Sequence, residues 1–309
     1  MITLLLLVFG ALFASGQTAA PWEGLTKLAN EHHDADDFAG EEKLRREALR
    51  LADEKLGPDN VIIAPMLSNL ALCLHSQGRD AEGDPLVRRA VSLAERSGSQ
   101  KMLGMMLNSL GVVLAGEREM GRAEPVLRRS VAILEAAEGE DAFDVAQAAN
   151  NLATIYAETQ QYAKAEKELA HSVEVYAKHL GTSHPLYASV LGNMFIALYE
   201  QRRVAEAEPY LRRALAIGEA GFPNRLAMAN LLYCLAALEA SHENFKESAR
   251  LLEKVIAMKE KVLGPQHPEL PPVLSSYANV LRRLHQKGPA KEAQHRADFI
   301  QKSLLGNVK

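Results

Sequence analysis

The side chains best suited to chemistry are histidines and carboxylates, and their spacing does not assemble a reactive site. His32 and His33 stand beside Asp34, Asp36 and Asp37, while His171 and His179 lie in a separate stretch. A protein-bound metal needs three or four ligands converging on one ion, as HExxH or a Cys/His set provides, and neither group has that arrangement. No metal is expected. Cys73 and Cys234 belong to no CxxC pair and no Cys/His cluster, and read as small buried hydrophobes. The chain has no GxSxG elbow, no phosphate-binding glycine-rich loop and no dinucleotide fingerprint. Carboxylates are plentiful but sit on helical stretches, where glutamate is usually just solvated. Neither an enzyme nor a cofactor is expected, and an active site assembled from several helices is the least favoured reading.

Amides remain. Asn69, Asn151 and Asn193 each open a similar short motif, Asn-Leu-Ala, Asn-Leu-Ala and Asn-Met-Phe, with Asn108 and Asn150 one residue ahead of the corresponding place and Asn230 further along. Asparagine is unfavourable in mid-helix. Its carboxamide both donates and accepts, so a row of them either clamps the backbone of an extended peptide or bonds a neighbouring helix. These six asparagines are the candidate peptide-binding residues. Lys27, Asn30, Met105, Gln147, Thr154, Glu158, Ile196 and Glu200 share their frame. That mixed set lacks the basic cluster a phosphorylated or carboxylate-terminal ligand needs, so a largely neutral peptide, or a helix with apolar anchors, is the expected partner.

The elements that position these residues come from a repeat. Ser68-Asn69-Leu70-Ala71, Asn108-Ser109-Leu110-Gly111, Asn150-Asn151-Leu152-Ala153 and Gly192-Asn193-Met194-Phe195 recur at spacings of 40, 42 and 42 residues. About a dozen residues after each of the last three come Ala123, Ala165 and Ala207, then Ser130, Ser172 and Ala214 seven residues later. Small residues at these places let two antiparallel helices approach closely. Leu, Ile, Val and Tyr recur around them at helical spacing, as in Leu152, Ile155 and Tyr156, to form the core. Gly57, Gly98, Gly139, Gly181, Gly221 and Gly264 keep the same period, where a residue free to adopt positive φ ends each second helix. The frame gives seven units, with a short insertion expected near Gly288-Pro289 in the last.

These repeats resemble tetratricopeptide (TPR) repeats of the longer, kinesin-light-chain type. Leu180-Gly181-Thr182-Ser183-His184-Pro185 and Leu263-Gly264-Pro265-Gln266-His267-Pro268 are similar to that family's Leu-Gly-x-x-His-Pro connection. The second helices agree with one another, Ala123-Glu124-Pro125 through Arg128-Arg129-Ser130 matching Ala207-Glu208-Pro209 through Arg212-Arg213-Ala214. The resemblance spans about Trp22 to Ile300. It implies an all-α, right-handed superhelical solenoid of antiparallel hairpins, with first helices lining a concave groove that takes peptides or partner helices. His184 and His267 then belong to structural turns.

Composition and charge bound the partners. With 35 Lys and Arg against 39 Asp and Glu, a net charge of -4 gives no general attraction to nucleic acid or anionic lipid. The pairs Arg45-Arg46, Arg88-Arg89, Arg128-Arg129 and Arg212-Arg213 look like a basic stripe. Each, however, has an acid four residues before one member (Glu42, Asp84, Glu124, Glu208), which suits intrahelical ion pairing. Residues 2–14 form an apolar run followed by small residues, read as a signal peptide over 1–16 ahead of one solenoid domain at 17–309. Export to a periplasm or medium is expected. A membrane anchor through residues 2–14 is the alternative, and contact with a membrane is expected only then. The sequence thus points to an exported scaffold for proteins or peptides, with self-association of solenoids through their terminal hairpins as the other reading.

Overall fold

A computed structural model describes residues 20–219 and 225–306. The expected leader, residues 1–16, and Gly221 lie outside the described residues. Among those described the chain forms fourteen helices and no strand. They pair as seven hairpins, and the chain divides into two compact units after His179.

The first unit carries α1 (Glu23–Asp34) with α2 (Phe38–Leu56), α3 (Ile63–Ser76) with α4 (Asp80–Ser97), α5 (Gln100–Gly116) with α6 (Met120–Glu138), and α7 (Phe143–Glu158) with α8 (Tyr162–Leu180). The second carries α9 (Pro185–Glu200) with α10 (Val204–Glu219), α11 (Arg225–Ser241) with α12 (Phe245–Leu263), and α13 (Leu270–Arg283) with α14 (Lys287–Gly306). First helices are the more apolar. In α5 and α7 almost every residue from Met106 to Leu114 and from Val145 to Ala157 is buried; α5 touches its own partner α6 and the hairpins on either side, and α7 packs on α5 and α6. Second helices bury one stripe, as Ala123, Leu127, Ser130 and Leu134 in α6, and leave the opposite face to charged residues.

Small residues mark the close approaches. A Cβ on Gly111 would stand 2.4 Å from Leu127 Cγ, and one on Gly104 2.6 Å from Leu134 Cγ. Ser130 and Ser172 use their small size differently: their hydroxyls donate to the Gly104 carbonyl at 2.6 Å and the Ala146 carbonyl at 3.1 Å, tying second helix to first.

Two kinds of turn alternate. Between hairpins Gly57, Gly139 and Gly264 have φ of 83°, 87° and 84° with ψ of 154°, 159° and 163°, a region open almost solely to glycine. The glycine period is therefore a conformational requirement. Within hairpins the chain takes a left-handed step at Asp36, Gly78, Arg118, Gln160, Arg202, Glu243 and His285, only one of them glycine. Each step completes a Schellman motif. At Gln160, for example, its N–H bonds the Ala157 carbonyl at 3.0 Å, and the Gln161 N–H bonds the Tyr156 carbonyl at 2.7 Å. The buried residues on either side keep the period, Ser248 to Ala290 and Val255 to Ala297 each spanning 42 residues, so the insertion expected near Gly288-Pro289 does not exist. Both residues lie in the first turn of α14, where a missing N–H costs nothing.

Candidate functional site

Six asparagines carry the expectation of a peptide site. Asn108 in α5, Asn150 and Asn151 in α7, and Asn193 in α9 are buried, whereas Asn69 in α3 and Asn230 in α11 are half-buried. The Asn151 Nδ2 donates to Asn108 Oδ1 at 2.9 Å, joining consecutive first helices. The same register recurs with other residue types. Ser68 Oγ meets Ser109 Oγ at 2.7 Å, and the Tyr233 hydroxyl meets Ser276 Oγ at 2.7 Å. In each case the residue just before the repeat's asparagine position reaches that position in the next first helix. Part of the asparagine pattern is thus a stitch between hairpins, of which sequence reasoning had only the general form, a bond to a neighbouring helix. Serine and tyrosine at equivalent positions were the missed signal.

The stitch leaves one acceptor over. Asn151 Oδ1 is buried and has no hydrogen-bond partner among the described residues. Gln147, Asn151, Thr154 and Glu158 follow one another by four, three and four residues and share one face of α7. Gln147 and Thr154 are also buried, the Thr154 hydroxyl donating back to the Asn150 carbonyl at 3.1 Å. Glu158 closes the helix; burial raises its carboxyl pKa, and the positive charge of Arg118 only partly opposes this. In the second unit Ile196 is buried and Glu200 half-buried on α9. At the far end Asn279 and Arg283 are exposed, with the Arg283 guanidinium 4.6 Å from the centre of the Phe245 ring.

The arginine pairs are largely occupied. Arg46 pairs with Glu42 at 2.8 Å, Arg88 with Asp84 at 2.7 Å and Arg212 with Glu208. The other member of each pair has a separate task. Arg45 is buried, bonding Glu41 at 2.6 Å and Asn30 at 3.1 Å; Arg89 donates to the Pro58 carbonyl at 2.6 Å; Arg129 lies 3.7 Å from Glu95; and Arg213 stacks 4.9 Å from the centre of the Tyr187 ring. His171 and Arg296 repeat the Arg89 contact on the carbonyls of Glu140 and Pro265, each 31 residues back. A stripe free to meet an acidic partner is therefore not what these residues form.

The histidines are structural too. His184 Nδ1 accepts the Leu186 N–H at 3.1 Å and so caps α9, while His267 Nδ1 accepts the Glu269 N–H at 3.3 Å within the turn before α13. His32 pairs with Asp37 at 2.6 Å and His33 with Glu41 at 3.0 Å. Among the described residues no group of three or more His, Cys, Asp and Glu is placed to hold a metal ion.

Repeat period, paired turns and helix packing define a helical-repeat protein of the tetratricopeptide class. A tetratricopeptide repeat model matches residues 101–178 and 144–220, and a second one matches 228–269. The chain belongs to the tetratricopeptide repeat family. No curated protein matches it in sequence. Among solved structures, the Rap conjugation gene regulator of plasmid pLS20 in complex with the Phr* peptide is 10% identical, with a TM-score of 0.73, over 93% of this chain and 75% of that one. A Rap protein complexed with competence and sporulation factor is 12% identical with a TM-score of 0.71, over 94% of this chain and 78% of that one. BtubC (BKLC) from P. vanneervenii is 20% identical with a TM-score of 0.56, over 80% of this chain and 94% of that one. At such identities the likeness is one of fold.

Proposed function

We propose that this protein is a scaffold that holds a peptide or a helix of a partner protein along the surface built by its first helices, and that it acts by binding rather than by catalysis. The observation that carries this reading is the α7 face, where Gln147, Asn151 and Thr154 put amide and hydroxyl groups on a surface helix-helix packing would normally fill with apolar side chains, and where Asn151 Oδ1 has no partner among the described residues. Two fold neighbours, the Rap proteins, hold Phr* peptide and competence and sporulation factor, which supports a peptide as the ligand here. Self-association through terminal hairpins is the second reading. Where α12, packed on α13, has Leu252 and Ile256, α14 has Gln294 and Asp298 42 residues on, side chains that suit water, but Leu28 on α1 and Phe299 on α14 are exposed and give each terminal hairpin one apolar side chain for a contact.

Export is part of the proposal and rests on the apolar run at residues 2–14 with the small residues after it. No helix among the described residues is long and apolar enough to cross a membrane, so a membrane anchor, the alternative, would use that run. Amino-terminal sequencing of the isolated protein distinguishes them: a chain beginning near Gln17 supports cleavage, and one retaining Met1 supports the anchor.

The binding surface is tested by photo-crosslinking. A benzoylphenylalanine replacing half-buried Asn69 should trap a partner from the source extract, and one replacing exposed Arg46 on a second helix should not. The reverse pattern would overturn the assignment of the first-helix surface.

A further inference from the structure

Asn151 and Glu158 lie seven residues apart on one face of α7, and among the described residues Asn151 Oδ1 has no hydrogen-bond donor and Glu158 no ion pair. The Asn151 Nδ2 is committed to Asn108, which fixes the amide and leaves its buried Oδ1 as an acceptor without a donor among the described residues. Glu158 is half-buried; Arg118 acts on it through charge alone and forms no ion pair with it, and burial still dominates. Its carboxylate also sits on the last residue of α7, where the helix dipole adds negative potential. A partly desolvated carboxylate at a helix C-terminus is unfavourable alone and is stabilised by a cation.

We infer that this face reads two features of a bound peptide at once: a backbone N–H donated to Asn151 Oδ1 and a cationic group, an Arg or Lys side chain or a free amino terminus, placed against Glu158. This rests on the peptide-binding reading and sharpens it, because it replaces a largely neutral ligand with one that carries a positive charge at a defined place. The spacing follows from geometry. Seven helical residues advance about 10 Å, and an extended peptide covers about 3.3 Å per residue, so the cation belongs about three residues from the amide that meets Asn151. Thr154, between the two, has its hydroxyl turned back to the Asn150 carbonyl and contributes shape rather than a further bond.

The test uses the full chain and immobilised hexapeptide mixtures that are random except for one position, fixed as Arg, norleucine or Glu. Wild type should retain the Arg mixture about tenfold or more over the Glu mixture, as a charge-assisted hydrogen bond would give. Glu158→Gln should lose that preference, and Glu158→Lys should reverse it in favour of the Glu mixture, both with an unchanged helical circular dichroism spectrum. Equal retention of the three mixtures by wild type, or a preference that survives Glu158→Gln, overturns the inference and leaves the peptide-binding reading standing. Retention of no mixture overturns both.

Discussion

Substituting Gly111 by alanine isolates how closely the paired helices must approach. The new Cβ would meet Leu127 Cγ at 2.4 Å, Cδ2 at 2.6 Å and Cδ1 at 3.1 Å. Ordinary carbon contacts begin near 3.5 Å, so the nearest atom must retreat by about 1 Å. Leu127 is fully buried, and its displacement drives an off-rotamer side chain or a shift of α6 against α5. Overpacking of this kind costs about 1 to 3 kcal/mol. Alanine recovers about 0.5 to 1 kcal/mol of helix propensity, leaving a net loss of about 1 to 2 kcal/mol. Gly121, with nothing within 4 Å of its would-be Cβ, is the control, and Gly121→Ala should gain about 0.5 kcal/mol. Urea denaturation followed by circular dichroism measures both, and a Gly111→Ala, Leu127→Val double variant should recover part of the loss. A Gly111→Ala protein as stable as wild type would refute steric limitation of this approach.

Gly139→Ala should destabilise by about 1 to 3 kcal/mol in the same assay, since no L side chain is comfortable at φ 87°, ψ 159°, whereas Gln160→Gly, which relieves a left-handed step at φ 60°, should cost nothing or stabilise by about 1 kcal/mol. Glu41 is buried, which alone would raise its pKa, but the hydrogen bond and charge of His33 together with Arg45 hold it below the usual glutamate value of 4.5. Its ion pairs therefore contribute stability that is complete above about pH 4.5 and is lost as pH falls through the lower folded value. Glu41→Ala, which strands the Arg45 charge, should cost about 3 to 5 kcal/mol at pH 7 and flatten the acid limb of a stability-pH profile. Burial pushes the Cys73 and Cys234 thiols up to about 12, with the Glu41 charge adding to the shift at Cys73. Both should resist Ellman's reagent at pH 8 in the folded protein and react at once in guanidinium chloride.

The hairpins were legible because their signals are steric. Ala123, Ala165 and Ala207, and Gly57, Gly139 and Gly264, occupy places where a larger residue does not fit or a side chain cannot follow the backbone, and constraint of that kind writes itself into residue type. The left-handed steps inside the hairpins were not legible. Asp36, Arg118, Gln160, Arg202, Glu243 and His285 share a conformation but no chemistry, because the Schellman bonds that hold them come from the main chain. The candidate site was half legible for a related reason. Asparagine at 69, 151 and 193 drew notice as a row, but Asn151 uses one end of its amide on Asn108, and the same register is filled by serine at Ser68 and Ser109 and by tyrosine at Tyr233. A shared geometric role met by unlike side chains leaves no periodic residue to see. The separate task of Arg89, reaching the Pro58 carbonyl across 31 residues, was hidden by the Asp84 partner available to Arg88 nearby.

The left-handed step at each hairpin turn bears on how such a chain can be edited. Since the backbone performs the same manoeuvre at Gln160 and at Arg118, 42 residues earlier, a chain cut at one and rejoined at the other would meet with matching direction and matching main-chain bonds. The junction itself would then impose no new strain, and a graft or duplication of one period would succeed or fail on the side chains that face the new neighbours. Length is in that sense a modular variable of this architecture, with the turns as its interchangeable couplings.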